Sequence, residues 1–368
     1  MKGFDACVVG AGIVGAACAA ALARKGMRVC VIDAGGIAGG TTAAGMGHIV
    51  IMDDSPAQFA LTKYSLDLWE QFAEEMPATC EYNHCGTIWV AADDEEMQEV
   101  RRKHLSYGSH GVATDILDEK TLLEAEPNLG PGLAGGLRVP GDSVIYQLTT
   151  SKWFIDQAVA RGGELRTNTR AVGLRDNGVM LDNGDLITAD SVVNAAGTGA
   201  PDLIPGLPVR KRKGHLVITE RYPGFVRHQL VELGYLKSAH GSASESVALN
   251  VQPRKTGQIL LGSSRQFDID HTDVDHKILG RMMARAFEYM PKLRNLAASR
   301  IWTGFRPATP DNLPLIGLVP GFENVYAACG HEGLGITCAT GTAALIADAI
   351  IGIDPAIPAE PYSPGRAS

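Results

Sequence analysis

Several familiar features are missing from these 368 residues. No cysteines stand in C-x-x-C or metal-like spacing, and their number, seven, is odd; this argues against a disulfide framework or a zinc module and fits a reducing, cytoplasmic setting. The apolar stretch Ala16 to Ala23 is far too short to span a bilayer, and a first strand beginning almost at Met1 leaves no room for a signal peptide. Positive charge is in deficit: 33 Lys and Arg against 41 Asp and Glu give a net charge of −8, which argues against nucleic acid or an anionic membrane as the main partner. The one basic cluster, Arg210 to Lys213, reads as a solvated strand edge. There is no low-complexity linker, no obvious repeat, and no obvious Ser/His/Asp or metal-ligand constellation.

What remains is ordinary globular usage, 45% hydrophobic and 20% charged, at a length that suggests two domains. Two glycine-rich segments near opposite ends, Cys7 to Asp33 and Cys329 to Ile350, both read as a strand running into a helix. In the first, the apolar run Ala6 to Val9 leads directly into Gly10, Gly12 and Gly15 in G-x-G-x-x-G register, followed by an alanine-rich helix. The first glycine permits the tight turn, the second lets backbone approach a pyrophosphate, and the third lets helix pack closely on strand. The helix N-terminus then offers N–H groups to phosphates. A second strand, Arg28 to Ile32, ends at Asp33, 18 residues past Gly15 and placed to accept from ribose hydroxyls.

Further along, Ser55-Pro56 is a cap and first-turn pair, and Leu61, Tyr64, Leu68 and Phe72 recur at helical spacing. Cys85 to Ala91 predicts a strand, Asp94 to Leu105 an exposed charged helix, and Thr149 to Ala160 a helix closed by Gly162-Gly163. Asn177-Gly178 and Asn183-Gly184 are hairpin turns leading to the strand Ser191 to Gly197. Arg212 to Glu220, Ser246 to Gln252 and Gln258 to Gly262 predict antiparallel strands, and His271 to Met290 a long helix. A β-rich middle is therefore inserted between nucleotide-binding pieces: 1–80, 151–205 and 301–368 for the nucleotide, 81–150 and 206–300 for the substrate.

Taken together, the Gly10-x-Gly12-x-x-Gly15 turn with Asp33, the strand ending at Asn194 to Gly199, the segment Thr303 to Asp311 and the closing Gly330-His331-x-Gly333-x-Gly335 resemble FAD-dependent amine and amino-acid oxidoreductases of the D-amino-acid oxidase type. The match in order and spacing runs the whole chain. More narrowly, Thr41 to Pro56 looks like the small catalytic subunits of multi-subunit hydroxyproline, proline or opine dehydrogenases. The resemblance implies an α/β, two-domain, Rossmann-like FAD fold with an inserted antiparallel substrate domain. It also implies noncovalent FAD, since Cys329 does not sit where the family attaches flavin covalently. The cofactor contacts it carries over are Gly10, Gly12, Ile13, Val14 and Gly15; Asp33 and Ala34; Thr41, Thr42, Gly45, Met46, Gly47 and His48; Ala171 and Val172; Ala196 and Gly197; Gly304 and Arg306; and Gly330, His331, Gly333, Leu334, Gly335 and Ile336. A helix starting near Gly333 would aim its positive end at the flavin N1/O2 edge, stabilising the reduced ring by about 0.3–1 kcal/mol when exposed.

By the same resemblance Arg306 matches the arginine that clamps a substrate carboxylate, a task suited to a planar guanidinium. His48 would orient the amine or tune the flavin. Tyr146 is a further candidate, with Arg265 and His215 behind it. The implied reaction is oxidation of an amino- or imino-acid C–N bond, with cis-4-hydroxy-D-proline or a related cyclic amino acid as substrate. The implied partners are a larger FAD-containing subunit and a small iron–sulfur subunit, with FMN allowed at a subunit interface. Other readings stay open: an opine, sarcosine or glycine oxidase or dehydrogenase subunit, a non-catalytic FAD relay, or an NAD(P)-dependent reductase.

Overall fold

The computed structural model describes residues 3–234 and 245–367. Two compact units divide the chain: Met1–Cys80, Tyr146–Lys211 and Phe305–Ser368 form the first, Glu81–Ile145 and Arg212–Gly304 the second.

The first unit is built on the strand Phe4–Val9, an apolar run with nearly every side chain buried. It lies between Val29–Ile32 and Leu186–Asn194, parallel to both, with Val9 in register with Ile32 on one side and Asn194 on the other. Glu164–Arg166 and Val325–Cys329 extend the sheet in parallel, and Leu315–Leu318 closes one edge antiparallel. Parallel register brings the carboxyl ends Val9, Ile32, Asn194 and Cys329 to one edge, so the loops that follow them gather there. Helix Ile13–Arg24, rich in alanine, packs against helices Gln147–Ala160 and Ala339–Ile351. The hairpin Ala171–Arg175 and Gly178–Leu181, turned at Asn177-Gly178 as expected, adds Leu174, Val179 and Leu181 to a cluster with Cys7, Val9, Cys30 and Ile32.

The second unit is a mostly antiparallel sheet that includes the expected strands, here Arg210–Thr219, Glu245–Pro253 and Ile259–Gln266, with helix His276–Tyr289 against it. Asp275 caps that helix, one carboxylate oxygen accepting from Lys277 N–H and Ile278 N–H at 2.9 and 3.1 Å. Four strands of this sheet went unforeseen: Asp115–Asp118, Gly135–Val139, Gln229–Glu232 and Ala298–Ala308, the third pairing parallel with Thr87–Ala91. Two expectations for this unit need correction. The charged helix, Asp94–Ser109, buries Met97, Val100, Lys103 and Tyr107, because one stripe at three- and four-residue spacing is enough to face the sheet. The Lys103 ammonium survives burial over the Trp89 and Tyr107 rings, 5.4 and 5.6 Å from their centroids. The basic run is only half solvated: Arg212 is buried with its guanidinium over Phe267, and Lys213 is buried with its ammonium donating to the Asp273 carbonyl at 2.6 Å.

Helix Pro56–Phe72 starts as its sequence predicts, Ser55 Oγ accepting from Gln58 N–H at 3.1 Å. Its buried face, however, is Gln58, Leu61, Thr62, Ser65 and Trp69, not the Leu61–Tyr64–Leu68–Phe72 stripe. The physical reason is helix Ala339–Ile351, which comes close enough for Thr340 Oγ1 to donate to the Ser65 carbonyl (2.9 Å). Small side chains are needed there, and their hydroxyls are satisfied within the chain, Ser65 Oγ donating to the Leu61 carbonyl at 2.7 Å. A Cβ on Gly341 would lie 2.4 Å from Ser65 Oγ. Gly341→Ala is therefore expected to destabilise by about 1–3 kcal/mol through overpacking. Adding Ser65→Ala should restore the urea midpoint, since only the helix-propensity gain of about 1 kcal/mol then remains. Strictly additive effects in that cycle would contradict the packing argument.

Candidate active site

The glycine turn follows Val9 at the gathered sheet edge. Gly10 donates to the Ile32 carbonyl (2.8 Å) at φ +111°, and a Cβ there would meet the Ala195 carbonyl oxygen at 2.4 Å. A Cβ on Gly15 would lie 2.0 Å from the Gly10 carbonyl oxygen, so both positions exclude any side chain. Helix Ile13–Arg24 then begins without a cap of its own. Thr42, remote in sequence, supplies one: its Oγ1 accepts from Ile13 N–H at 3.0 Å. The helical ladder begins with Ala16 N–H to the Gly12 carbonyl (2.8 Å), so Val14 and Gly15 N–H groups have no acceptor inside the helix.

Asp33 holds this turn in place. One carboxylate oxygen accepts from Ala11 N–H and the other from Gly35 N–H, both at 2.8 Å, and each oxygen retains a lone pair. Its carbonyl accepts from Thr169 N–H (2.8 Å), which brings Ala171 and Val172 to the neighbourhood; Val172 and Ala34 are exposed. After Leu186–Asn194, the buried Asn194 amide shapes the next loop, accepting from Ala196 N–H (3.2 Å) and donating to the Ala200 carbonyl (3.1 Å). Gly197 follows at φ +58°, and a Cβ there would be 3.8 Å from Thr41 Oγ1. Thr41 in turn donates to the Phe305 carbonyl at 2.8 Å, just before Arg306.

The segment Gly45 to His48 is held against the closing motif. The Gly45 carbonyl accepts from Gln147 Nε2 (2.8 Å), Met46 is buried, and the Thr337 hydroxyl bridges the two segments by donating to the His48 carbonyl (3.1 Å) and accepting from Val50 N–H (3.3 Å). His48 Nε2 lies 3.0 Å from the Gly333 carbonyl oxygen, which can only accept, so Nε2 carries the proton and Nδ1 is bare. Among the described residues Nδ1 is buried and meets no hydrogen-bond partner. Burial lowers the ring's pKa, and the Arg306 charge pushes the same way. His48 is thus a neutral imidazole with one unused acceptor.

Arg306 Nε lies 3.8 Å from Glu332 Oε1, with the two side chains 20% and 10% exposed. Glu332 is the residue that sequence reading passed over, although it stands inside the quoted closing motif; Gln147 and Thr337 also escaped notice, having no local signature. His331 turns away: its Nε2 is 2.8 Å from Thr342 Oγ1, and burial pushes its pKa down to about 3. Leu334 and Gly335 form a turn in which Leu334 N–H donates to the His331 carbonyl (2.9 Å), and Ile336 is buried near Gly45. The helix expected near Gly333 starts instead at Ala339. With the Gly333 carbonyl bonded to His48, the winding begins only with Cys338 N–H to the Leu334 carbonyl (2.8 Å).

Four further candidates remain. Tyr146 precedes Gln147 at the start of helix Gln147–Ala160, where its carbonyl accepts from the Thr149 and Thr150 hydroxyls (3.0 and 2.9 Å). Gly304, Arg265 and His215 belong to the second unit, and Arg265 is buried in its sheet opposite Ser246. His215 is a structural link: Nε2 accepts from Asp275 N–H (2.9 Å), so Nδ1 donates to Ser264 Oγ (2.9 Å).

Such a glycine turn with an acid-tied second strand is the frame of a dinucleotide-binding enzyme. The chain belongs to the DAO family of FAD dependent oxidoreductases, whose model matches residues 5–349. It is an enzyme of that fold, and FAD is its cofactor. It is 30% identical to the glycine oxidase of Pseudomonas aeruginosa, over 97% of both chains. It is 27% identical to the hydrogen cyanide synthase subunit HcnC of the same species, over 93% of this chain and 91% of that one. Among solved structures, L-proline dehydrogenase from P. horikoshii superposes with a TM-score of 0.89 at 25% identity, covering 99% and 98% of the two chains. No helix among the described residues is long and apolar enough to cross a membrane.

The buried histidines make stability depend on acid. In the folded protein His331 titrates near 3, against 6.5 unfolded, so the unfolded chain binds more protons between those values. Its contribution is present above about pH 6.5 and is lost as pH falls towards 3; His48, lowered for the same cause, adds in the same direction. His331→Gln should flatten the decline of Tm between pH 6.5 and 4, as measured by calorimetry. An unchanged slope would place the acid sensitivity elsewhere.

Proposed function

We propose that this enzyme oxidises the C–N bond of an amino or imino acid, with cis-4-hydroxy-D-proline or a related cyclic amino acid preferred. We propose further that it acts in the cytoplasm and passes the electrons to a partner subunit. The observation that carries the reading is Arg306, a mostly buried guanidinium beside a neutral, bare-acceptor histidine in the loops gathered at the sheet edge. Glycine oxidase and L-proline dehydrogenase, the activities of two similar proteins, support an amino-acid substrate. The Thr41 to Pro56 resemblance supports the cyclic one. That HcnC is itself a subunit supports the partner, for which a larger FAD-containing chain and a small iron–sulfur chain are the candidates, with FMN at their interface.

The residues fit FAD. Gly10 and Gly15 leave bare backbone at the turn, Val14 and Gly15 offer N–H groups to the pyrophosphate, and the Thr42 hydroxyl, though it caps the helix, keeps its own proton to donate. Asp33 keeps lone pairs that would take the ribose hydroxyls; Ala34, Ala171 and Val172 would hold the adenosine end, and Gly45 to His48 with Gly330 to Ile336 would hold the flavin end. Bound FAD supplies the acceptor for the hydride leaving the substrate's α-carbon. Arg306 holds the substrate carboxylate by a bidentate, charge-assisted pair, which fixes the α-carbon. His48 Nδ1 accepts from an N–H at the reacting centre, and being neutral it can do so without repelling an amine cation. Tyr146 stands as a further positioning candidate.

Cys329 is buried and its thiol is pushed up to about 12, which fits a cofactor held without a covalent bond. Denaturation should release a yellow supernatant identified as FAD, and flavin retained on the chain would refute this. Anaerobic mixing with D-, L-, N-alkyl and cyclic amino acids should bleach the flavin. Arg306→Ala should lower kcat/KM by about a hundredfold or more with FAD still bound, each ~1.36 kcal/mol being tenfold. Arg306→Lys should recover only part, lacking the planar fork. Near-normal kcat/KM for Arg306→Ala on every amino acid would move the clamp elsewhere. If hydroxyprolines fail while opines or glycine bleach the flavin, the substrate proposal alone falls. Purification from the host should bring down other chains, and rapid turnover of the isolated chain with oxygen alone would count against a partner.

A further inference from the structure

The reaction as described leaves one carboxylate at the site without a task. Glu332 stands at φ +49°, in the left-handed region that suits glycine, and is kept there by its N–H donating to the Pro307 carbonyl (2.8 Å) and by its Oε2 accepting from Gly333 N–H (2.5 Å). Those bonds fix the carboxylate, and its other oxygen faces Arg306 Nε at 3.8 Å, longer than a hydrogen bond. A fixed anion beside the guanidinium opposes the binding of a simple carboxylate, which is a poor design if the carboxylate is all that must be recognised.

We propose that Glu332 is the counter-ion of the substrate's amine, so that Arg306 and Glu332 together select the zwitterion of an α-amino or α-imino acid over a carboxylate without an amine. This rests on the reading of Arg306 as the carboxylate clamp. The charges match one to one: carboxylate on guanidinium, ammonium on carboxylate. His48 adds an acceptor and no charge, because burial keeps its ring neutral. A second consequence is substrate class. An N-alkyl or cyclic secondary amine keeps its cationic N–H groups and is admitted, whereas 2-hydroxy acids and N-acyl amino acids are rejected, since they place an uncharged group against Glu332.

The test uses the FAD-loaded enzyme and reads ligand affinity from the flavin absorbance change, without turnover. Two matched pairs serve: 2-methylproline against cyclopentanecarboxylate, and 2-aminoisobutyrate against isobutyrate. The zwitterions lack an α-hydrogen, and the acids lack an amine. Glu332→Gln, which keeps an oxygen for Gly333 N–H, should weaken both zwitterions by about tenfold or more and tighten both acids, a change of opposite sign. Glu332→Asp should keep the native preference for the zwitterions. If Glu332→Gln shifts zwitterion and acid in the same direction, Glu332 merely orients Arg306 and the proposal is wrong. If Arg306→Lys leaves every affinity where it was, the carboxylate clamp falls and this proposal with it.

Discussion

The first unit depends on one backbone contact, the Gly10 turn against the Ala195 carbonyl. A side chain at Gly10 would strike that oxygen at 2.4 Å, and one at Gly15 would strike Gly10's own carbonyl at 2.0 Å. Because Val9 and Asn194 are in register, the two loops leave the sheet at the same height, and the closeness of the turn is set by the parallel pairing itself. Asp33 completes the arrangement from the other neighbouring strand, its carboxylate fastening Ala11 N–H. One strand-to-strand register thus aligns the turn, the acid and the Ala195 loop, and the phosphate-facing end of helix Ile13–Arg24 follows from it.

The two buried histidines of this unit show how one physical cause serves two ends. Burial lowers the pKa of both. His331 pairs its Nε2 with the Thr342 hydroxyl and so joins the closing strand to the following helix. His48 gives its Nε2 to the Gly333 carbonyl and is left with Nδ1 buried and, among the described residues, without a hydrogen-bond partner. A buried acceptor without a partner costs free energy, about 1–3 kcal/mol, and a fold that retains one beside an arginine is arranged around something absent from the protein chain.

Legibility in the sequence followed the range of the interactions. The strand–turn–helix at Gly10, the cap at Ser55 and the hairpin at Asn177-Gly178 are local events with local signatures, and each appears where it was expected, whereas the long helix expected over His271 to Met290 starts only at His276, after the Asp275 cap. Thr42 capping Ile13, Gln147 binding the Gly45 carbonyl and Trp69 Nε1 donating to the Thr337 carbonyl join positions remote in sequence, and no spacing rule announces them. The buried face of helix Pro56–Phe72 was misjudged for the same reason: apolarity favoured Tyr64 and Leu68, while the neighbouring helix required the small Thr62 and Ser65. Glu332 was hidden differently, as the unspecified residue between His331 and Gly333 in the closing glycine motif.

The late start of the last helix changes the electrostatic account of the site. A helix beginning near Gly333 would have offered its N-terminal dipole, an effect confined to the first turn. With Ala339 as its first residue, that turn lies beyond the Gly333–Gly335 segment, so fixed positive charge beside His48 comes from the Arg306 guanidinium. A guanidinium is a full charge where the dipole is about half of one, but here it shares its field with Glu332 at 3.8 Å. The pair is close to neutral at a distance and strongly polar nearby, which favours a ligand that is itself a dipole. On the proposed reading, recognition at this site rests on the placement of opposite charges within a few ångströms, and the sheet edge, the Thr41 bond to the Phe305 carbonyl and the His48 bond to the Gly333 carbonyl are what hold those charges to that placement.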